Sequence, residues 1–158
     1  ALNKPIVSVP TLEGMACNFY GTDAIICPMM DARRQQVYTG IYHFVGGTEF
    51  EELVAQEAGP VEDIITKCNE LGQKLGKPVI FLGDGVPVYK EIIEEVCSVE
   101  HSYAPAHLSR QRAGAVAIRA MKLYEEGKTE TASDHAPIYL RKSQAERELE
   151  AKGKKLEE

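Results

Sequence analysis

The sequence predicts an α/β fold built on one mixed β-sheet, with an antiparallel meander on one side, parallel crossovers on the other and helices on both faces. Three observations predict it. The run Ala24–Met30 is apolar without alternation, the pattern of a strand covered on both faces. Gln36–Phe44 follows after only a few polar residues, a link short enough for a hairpin but not for a crossover. From residue 60 onward helical and extended patterns alternate, and strands joined through helices pair in parallel.

Taken in order, Ile6–Val9 is a short strand, and Thr11 caps a helix running to about Tyr20. AIICPMM (24–30) is the first buried strand. QVYTGIYHF (36–44), β-branched and aromatic with period-two alternation, is the second. After VGG turns the chain, Thr48–Leu53 forms a third, short strand. GPVEDIITKCNELGQKLG places Pro60 early, Gly76 at its end, and Val61, Ile64, Ile65, Cys68, Leu71 and Leu75 on one face of an amphipathic helix. KPVIFLGDG is a short buried strand ending in Gly83, Asp84 and Gly85, and VPVYKEIIEEVC continues as a helix. EHSYAP supplies another strand. LSRQRAGAVAIRAMKLYEEG is a helix capped by Ser109 and closed by Gly127. APIYLR is extended, so Ile138 and Leu140 should be buried and alternate with Tyr139 and Arg141. Residues from Ser143 onward are polar nearly all round, a charged helical tail read as solvated. This order is the plan of a ribonuclease H-like half-domain, the building block of the actin-like ATPases.

Composition bounds the function. At 158 residues, 44% hydrophobic and 27% charged, the chain is long enough to bury a core without staples. A net charge of -6 argues against a free-standing nucleic-acid binder, which needs a concentrated positive face, but leaves nucleic acid reached through a partner open. Cys17, Cys27, Cys68 and Cys97 show no CxxC spacing and read as reduced thiols of a cytoplasmic protein. No apolar run approaches membrane-spanning length. The opening ALNKPIVSVPTLEGMA reads as the interior of a longer gene product.

Two stretches carry candidate chemistry. Gly83, Asp84 and Gly85 sit where a strand hands over to a helix, the place where α/β folds hold phosphate or adenosine. They form neither GxGxxG nor a Walker loop, and a tight turn that needs glycine dihedrals explains them as well. In PMMDARRQQVYTGIYHF, Asp31, Arg33 and Arg34 stand between two strands, either as the polar tip of a hairpin or as a site for something anionic. Arg110 and Arg112 add two cations to the first turn of the last helix, where the dipole disfavours them, so they are candidates to face a partner or an anion. His43, His101, His107 and His135 lack metal-ligand spacing, and no GxSxG elbow is present.

CPMMDARRQQVYTGIY, FLGDGVPVY and above all DHAPIYLRKSQAE resemble the TsaB (YeaZ) family, formerly grouped with glycoprotease homologues. The resemblance covers essentially the whole chain. It implies residues 1–22 as the junction between two actin-like subdomains, 23–142 as the carboxy-terminal subdomain and 143–158 as the tail, with the amino-terminal subdomain absent. It also implies a non-catalytic scaffold or dimerisation subunit of the machinery that makes threonylcarbamoyladenosine beside the tRNA anticodon. Its partners would be the metal-bearing TsaD and the ATPase TsaE, with tRNA reached only indirectly. No cofactor would be bound by this chain itself, ATP entering only in the complex. Family members meet TsaD mainly through the amino-terminal subdomain, so this chain should expose the apolar surface that met it and homodimerise there. In catalytic actin-like domains the first hairpin is a glycine-containing phosphate loop; Ala32, Arg33 and Arg34 replace those glycines, so DARR reads as a hairpin that has lost the phosphate role. The competing reading is that an arginine itself grips an anion or a partner carboxylate. The alternative function is an actin-like nucleotide-binding enzyme or a glycoprotease-type peptidase.

Overall fold

Strand β1 (Ile25–Asp31) lies at the centre of a five-stranded sheet and organises both layers around it. The structure is a computed structural model and describes residues 4–141. β1 pairs antiparallel with β2 (Gln36–Val45), which pairs antiparallel with β3 (Glu49–Pro60). On its other side β1 pairs parallel with β4 (Val79–Leu82), and β4 pairs parallel with β5 (His101–Tyr103). The strand order β3-β2-β1-β4-β5 is the mixed sheet expected, a meander on one side and crossovers on the other.

The apolar run of β1 is divided between two cores. Ile25, Cys27 and Met29 point into one, closed by Ile64, Ile65 and Cys68 of α2 (Val61–Leu75) and Tyr89 and Ile93 of α3 (Gly85–Val96). Ile26 points into the other, with Tyr42, Phe44, Leu82 and the side chains of Leu12, Met15 and Ala16 on α1 (Thr11–Ala16). Because successive strand residues face opposite sides, a strand with both faces covered must be apolar at every position. α4 (Ala113–Glu125) lies over the same face as α1, which it contacts through Ala115 and Arg119.

Several expectations need correction. The stretch Ile6–Val9 is not a strand; only Ile6 makes an isolated antiparallel bridge, to Glu130. Thr11 is the first helical residue and Pro10 the cap, without a side-chain hydrogen bond. Pro10 fixes the φ at the helix entry but offers no side-chain acceptor to the free N–H groups of the first turn. That helix tightens into a 3-10 turn over Cys17–Phe19 instead of running on to Tyr20 as α-helix. β3 is twice the length expected, because its many glutamates (Glu49, Glu51, Glu52 and Glu57) conceal the strand pattern. They belong to an edge strand, where charge discourages pairing with another chain. The apolar residues of APIYLR are not buried as expected: Ile138 is 65% and Tyr139 83% exposed, and only Leu140 packs partly onto the α1-side core. The charged tail expected from residue 143 lies outside the described residues.

Candidate polar site at the sheet end

The carboxyl ends of β1 and β4 meet at one edge, and the sequence candidates gather there. Asp31 ends β1, and the chain reverses through Ala32–Gln35 into β2. Arg33, Arg34 and Gln35 are all left-handed, with φ of 62°, 54° and 56°. For residues bearing a Cβ this conformation costs about 1–2 kcal/mol each, so three in succession must be held by their surroundings. Asp31 holds the first: its Oδ1 accepts from the Arg33 backbone N–H at 2.8 Å. The same oxygen accepts from the Tyr89 hydroxyl at 2.8 Å, at the residue where α3 departs from helical geometry. The hairpin closes with Ala32 N–H donating to Gln36 O at 2.9 Å and Gln36 N–H to Arg33 O at 3.1 Å. Val61 N–H, at the start of α2, donates to Gln35 O at 3.0 Å. Burial, and next the hydrogen bond to Asp31, push the Tyr89 phenol above its ordinary pKa, so it stays a donor.

Gly83, Asp84 and Gly85 lie directly against this hairpin. Gly83 has φ 106°, and a Cβ built on it would stand 2.1 Å from the Met29 carbonyl oxygen. A Cβ on Gly85 would lie 3.1 Å from the same oxygen and 3.3 Å from Asp31 N. The glycines therefore admit the backbone of β1 at close approach, as a tight strand-to-helix turn requires. Asp84 Oδ1 accepts weakly from Asp31 N–H at 3.4 Å, and its Oδ2 lies 3.7 Å from Arg110 Nη1.

Arg110 and Arg112 are not in the first turn of a helix. α4 begins only at Ala113, and Ser109 does not cap it, since its Oγ accepts from Gly83 N–H at 3.1 Å. Asn18 Nδ2 donates to the carbonyls of Leu108 and Arg110 at 2.8 Å each, pinning the loop in a non-helical path. Arg110 is thereby brought to the sheet end. Arg112 is the exposed residue before α4 and joins no ion pair among the described residues.

Two groups escaped the sequence reading. Arg141 Nη1 donates to Ala32 O at 3.3 Å, returning the carboxy-terminal segment to the hairpin. Its signal was the YLR motif, read for family and not for contact. The second group is Ser8, His135 and Glu130; the first two stand in the wall of a groove of about 620 Å3 between residues 6–12 and 135–141, and Glu130 bonds to both. Ser8 Oγ lies 3.0 Å from His135 Nδ1, and Glu130 Oε1, to which Ser8 also donates, lies 2.9 Å from that same nitrogen. A catalytic relay needs serine and carboxylate on opposite ring nitrogens, so this cluster is a hydrogen-bonded clasp and not a triad. Hydrogen bonds from Ser8 and then His135 hold the Glu130 carboxyl below its ordinary range. No spacing rule could have found it, since Ser8 lies more than a hundred positions from the other two. Among the described residues, no group of three His, Cys, Asp or Glu side chains is arranged to hold a metal ion.

Comparison with known proteins agrees with this architecture. The family model described as TsaD: tRNA N6-adenosine threonylcarbamoyltransferase matches residues 1–149. The chain is 33% identical over 149 residues to the tRNA threonylcarbamoyladenosine biosynthesis protein TsaB of Bacillus subtilis (strain 168), covering 92% of this chain and 60% of that protein. Two solved structures from Pseudomonas aeruginosa share the fold at 20% identity. One is YeaZ, with a TM-score of 0.66 over 87% of this chain and 59% of that one. The other is an uncharacterized protein with similarity to peptidase YEAZ, with a TM-score of 0.64 over 87% and 60%. The chain thus spans about 60% of the length of the relative it matches.

Proposed function

Because the chain belongs to the TsaD, tRNA N6-adenosine threonylcarbamoyltransferase, family, we propose that it serves as a non-catalytic scaffold in the making of threonylcarbamoyladenosine on tRNA. In this reading it works beside a catalytic relative of the TsaD type and an ATPase of the TsaE type. The observation that carries the reading is the state of Asp31. At the position where a nucleotide-handling hairpin would present a carboxylate to metal and phosphate, its Oδ1 is committed to Arg33 N–H and the Tyr89 hydroxyl. The loop beside it is filled by the backbone of β1 at Gly83. A carboxylate spent on holding its own turn is poorly placed to act as base or ligand.

The surface supports a role in assembly. α4 leaves Ile118, Met121 and Tyr124 exposed along one side, and isolated apolar residues become informative when they form a stripe on one helix. We read this stripe as a contact face, for a partner subunit or for a second copy of the chain.

The test is a titration of the full-length protein with ATP, with and without the TsaD-type partner, alongside a reconstituted tRNA modification assay. The expected result is no threonylcarbamoyl transfer and no peptide cleavage by the protein alone, and loss of modification when it is left out of the mixture. Turnover by the protein alone would overturn the reading.

A further inference from the structure

We propose that the left-handed arginine turn at the β1–β2 hairpin is a docking surface for the phosphodiester backbone of RNA. The inference rests on the reading that the protein serves an RNA-modifying assembly, and goes beyond it by giving this chain a direct contact with the nucleic acid.

The first observation is charge. The molecule as a whole carries -6, yet Arg33, Arg34, Arg110 and Arg141 converge at one end of the sheet. A chain of contacts joins them: Arg141 to Ala32 O, Asp31 to the Arg33 backbone and to Asp84, and Asp84 to Arg110. Asp31 and Asp84 stand among these cations, and Glu62 and Asp63 follow Val61, whose N–H donates to Gln35 O of the turn. Among the described residues, no carboxylate lies within ion-pair distance of Arg33 or Arg34.

The second is conformation. Glycine would adopt the three left-handed positions without penalty, and the chain carries arginine at two of them. Asp31, the Tyr89 hydroxyl and the Val61 N–H hold the turn in place. The guanidinium stems are thus mounted on a fixed backbone, which lowers the entropy lost when they grip a ligand. Strain retained where it could be relieved points to a use for the side chains.

The third is shape. Arg33 and Arg34 are exposed on a hairpin tip and do not border the groove described above. A small phosphorylated ligand needs a concavity that buries most of its surface. A convex, arginine-bearing turn instead suits an extended polyanion, whose successive phosphates accept the planar, bidentate guanidinium. An acidic protein segment is the competing occupant. The repeating phosphate charge of RNA is favoured because the assembly's substrate supplies it.

The experiment is fluorescence anisotropy of a labelled RNA stem-loop titrated with the full-length protein between 50 and 200 mM salt. Three proteins are compared: the natural sequence, Arg33→Gly/Arg34→Gly and Arg33→Lys/Arg34→Lys. Glycine relieves the left-handed strain, so the first variant should melt at or above the natural temperature, and any loss of binding is not a loss of fold. Each phosphate contact contributes about 0.9 to the slope of log affinity against log salt, so removing two should flatten it by about 2. Over this salt range the natural protein should then lose about tenfold more affinity than the glycine variant. The lysine variant should keep the slope. An unchanged slope in the glycine variant, displacement of the RNA by ATP or inorganic phosphate at matched ionic strength, or binding of an acidic peptide but not the stem-loop would each overturn the assignment. These readouts need no partner subunit, so a modification assay that still requires the protein would leave the scaffold reading intact while this inference fails.

Discussion

Asp31 answers a question that the sequence poses and cannot settle: why an aspartate precedes two arginines between two strands. Its side chain takes the place of the glycines that a left-handed turn would otherwise need, by accepting from Arg33 N–H and from the Tyr89 hydroxyl. Asp31→Ala should therefore destabilise the protein by about 1–3 kcal/mol, the range for stranding the partners of a charged acceptor, as read by urea unfolding. A loss within error would mean that the turn is held by its backbone bonds alone. Nothing local in the sequence announced three consecutive positive φ values, because the usual marker, glycine, is missing. Cys17 makes a second prediction at this scale. Burial, partly countered by Arg119 and reinforced by Glu13, pushes its thiol from 9.0 up to about 11. Between those values the native state holds a proton that the unfolded chain has released, so stability falls as pH rises. The contribution is fully present below about pH 9 and lost as pH climbs to about 11. Cys17→Ala should flatten the alkaline limb of a melting-temperature profile between pH 8 and 11; an unchanged limb would place the loss at other groups.

At the scale of elements, the central strands were legible because their two-sided burial forces a simple pattern. Apolarity without alternation in β1 and the Gly76 stop of α2 at φ 63° are local consequences of local sequence, whereas β2, read as alternating, is buried on both faces from Thr39 to Phe44. The misreadings occur where a distant residue decides. Ser109 is a good cap by type, but its hydroxyl accepts from Gly83 while Asn18 draws the neighbouring carbonyls out of helical register. β3 runs on past Leu53 because β2 offers it a partner along its length, despite register shifts around Ile41. Gly83 was legible as a turn glycine, but the reason for it was not, since Met29 is more than fifty residues away. The two glycines of GDG should accordingly behave differently. Gly83→Ala must both keep a φ of 106° and displace a backbone oxygen 2.1 Å away, so it should cost more than about 3 kcal/mol or prevent folding. Gly85→Ala, helical and 3.1 Å from the same oxygen, should cost about 1 kcal/mol, as relaxation by a few tenths of an ångström suffices. Equal losses in thermal unfolding would show that the close approach is not what selects Gly83.

At the scale of the whole molecule, α1 and α4 are tied together by a contact that no window of sequence contains. Glu13 on α1 and Arg119 on α4 pair at 2.6 Å with side chains only 11% and 10% exposed, and the guanidinium lies 4.0 Å over the ring of Phe50 on β3. Residues 13, 50 and 119 thus meet, and α4 is fastened to the face of the sheet opposite α2 and α3. Two ions removed from water recover their desolvation only from each other, so losing one is worse than losing both. Arg119→Met alone should leave Glu13 buried and uncompensated, at a cost of about 3–5 kcal/mol. Glu13→Gln combined with Arg119→Met should recover much of that loss, because neither side chain then carries an unpaired charge. Denaturant unfolding of the single and double variants gives the coupling directly. If the losses simply add, the two charges are not coupled and α4 is held by Ala115 and Leu123. If the double variant recovers, the ion pair specifies where α4 sits, and with it the facing of Ile118, Met121 and Tyr124 toward any partner.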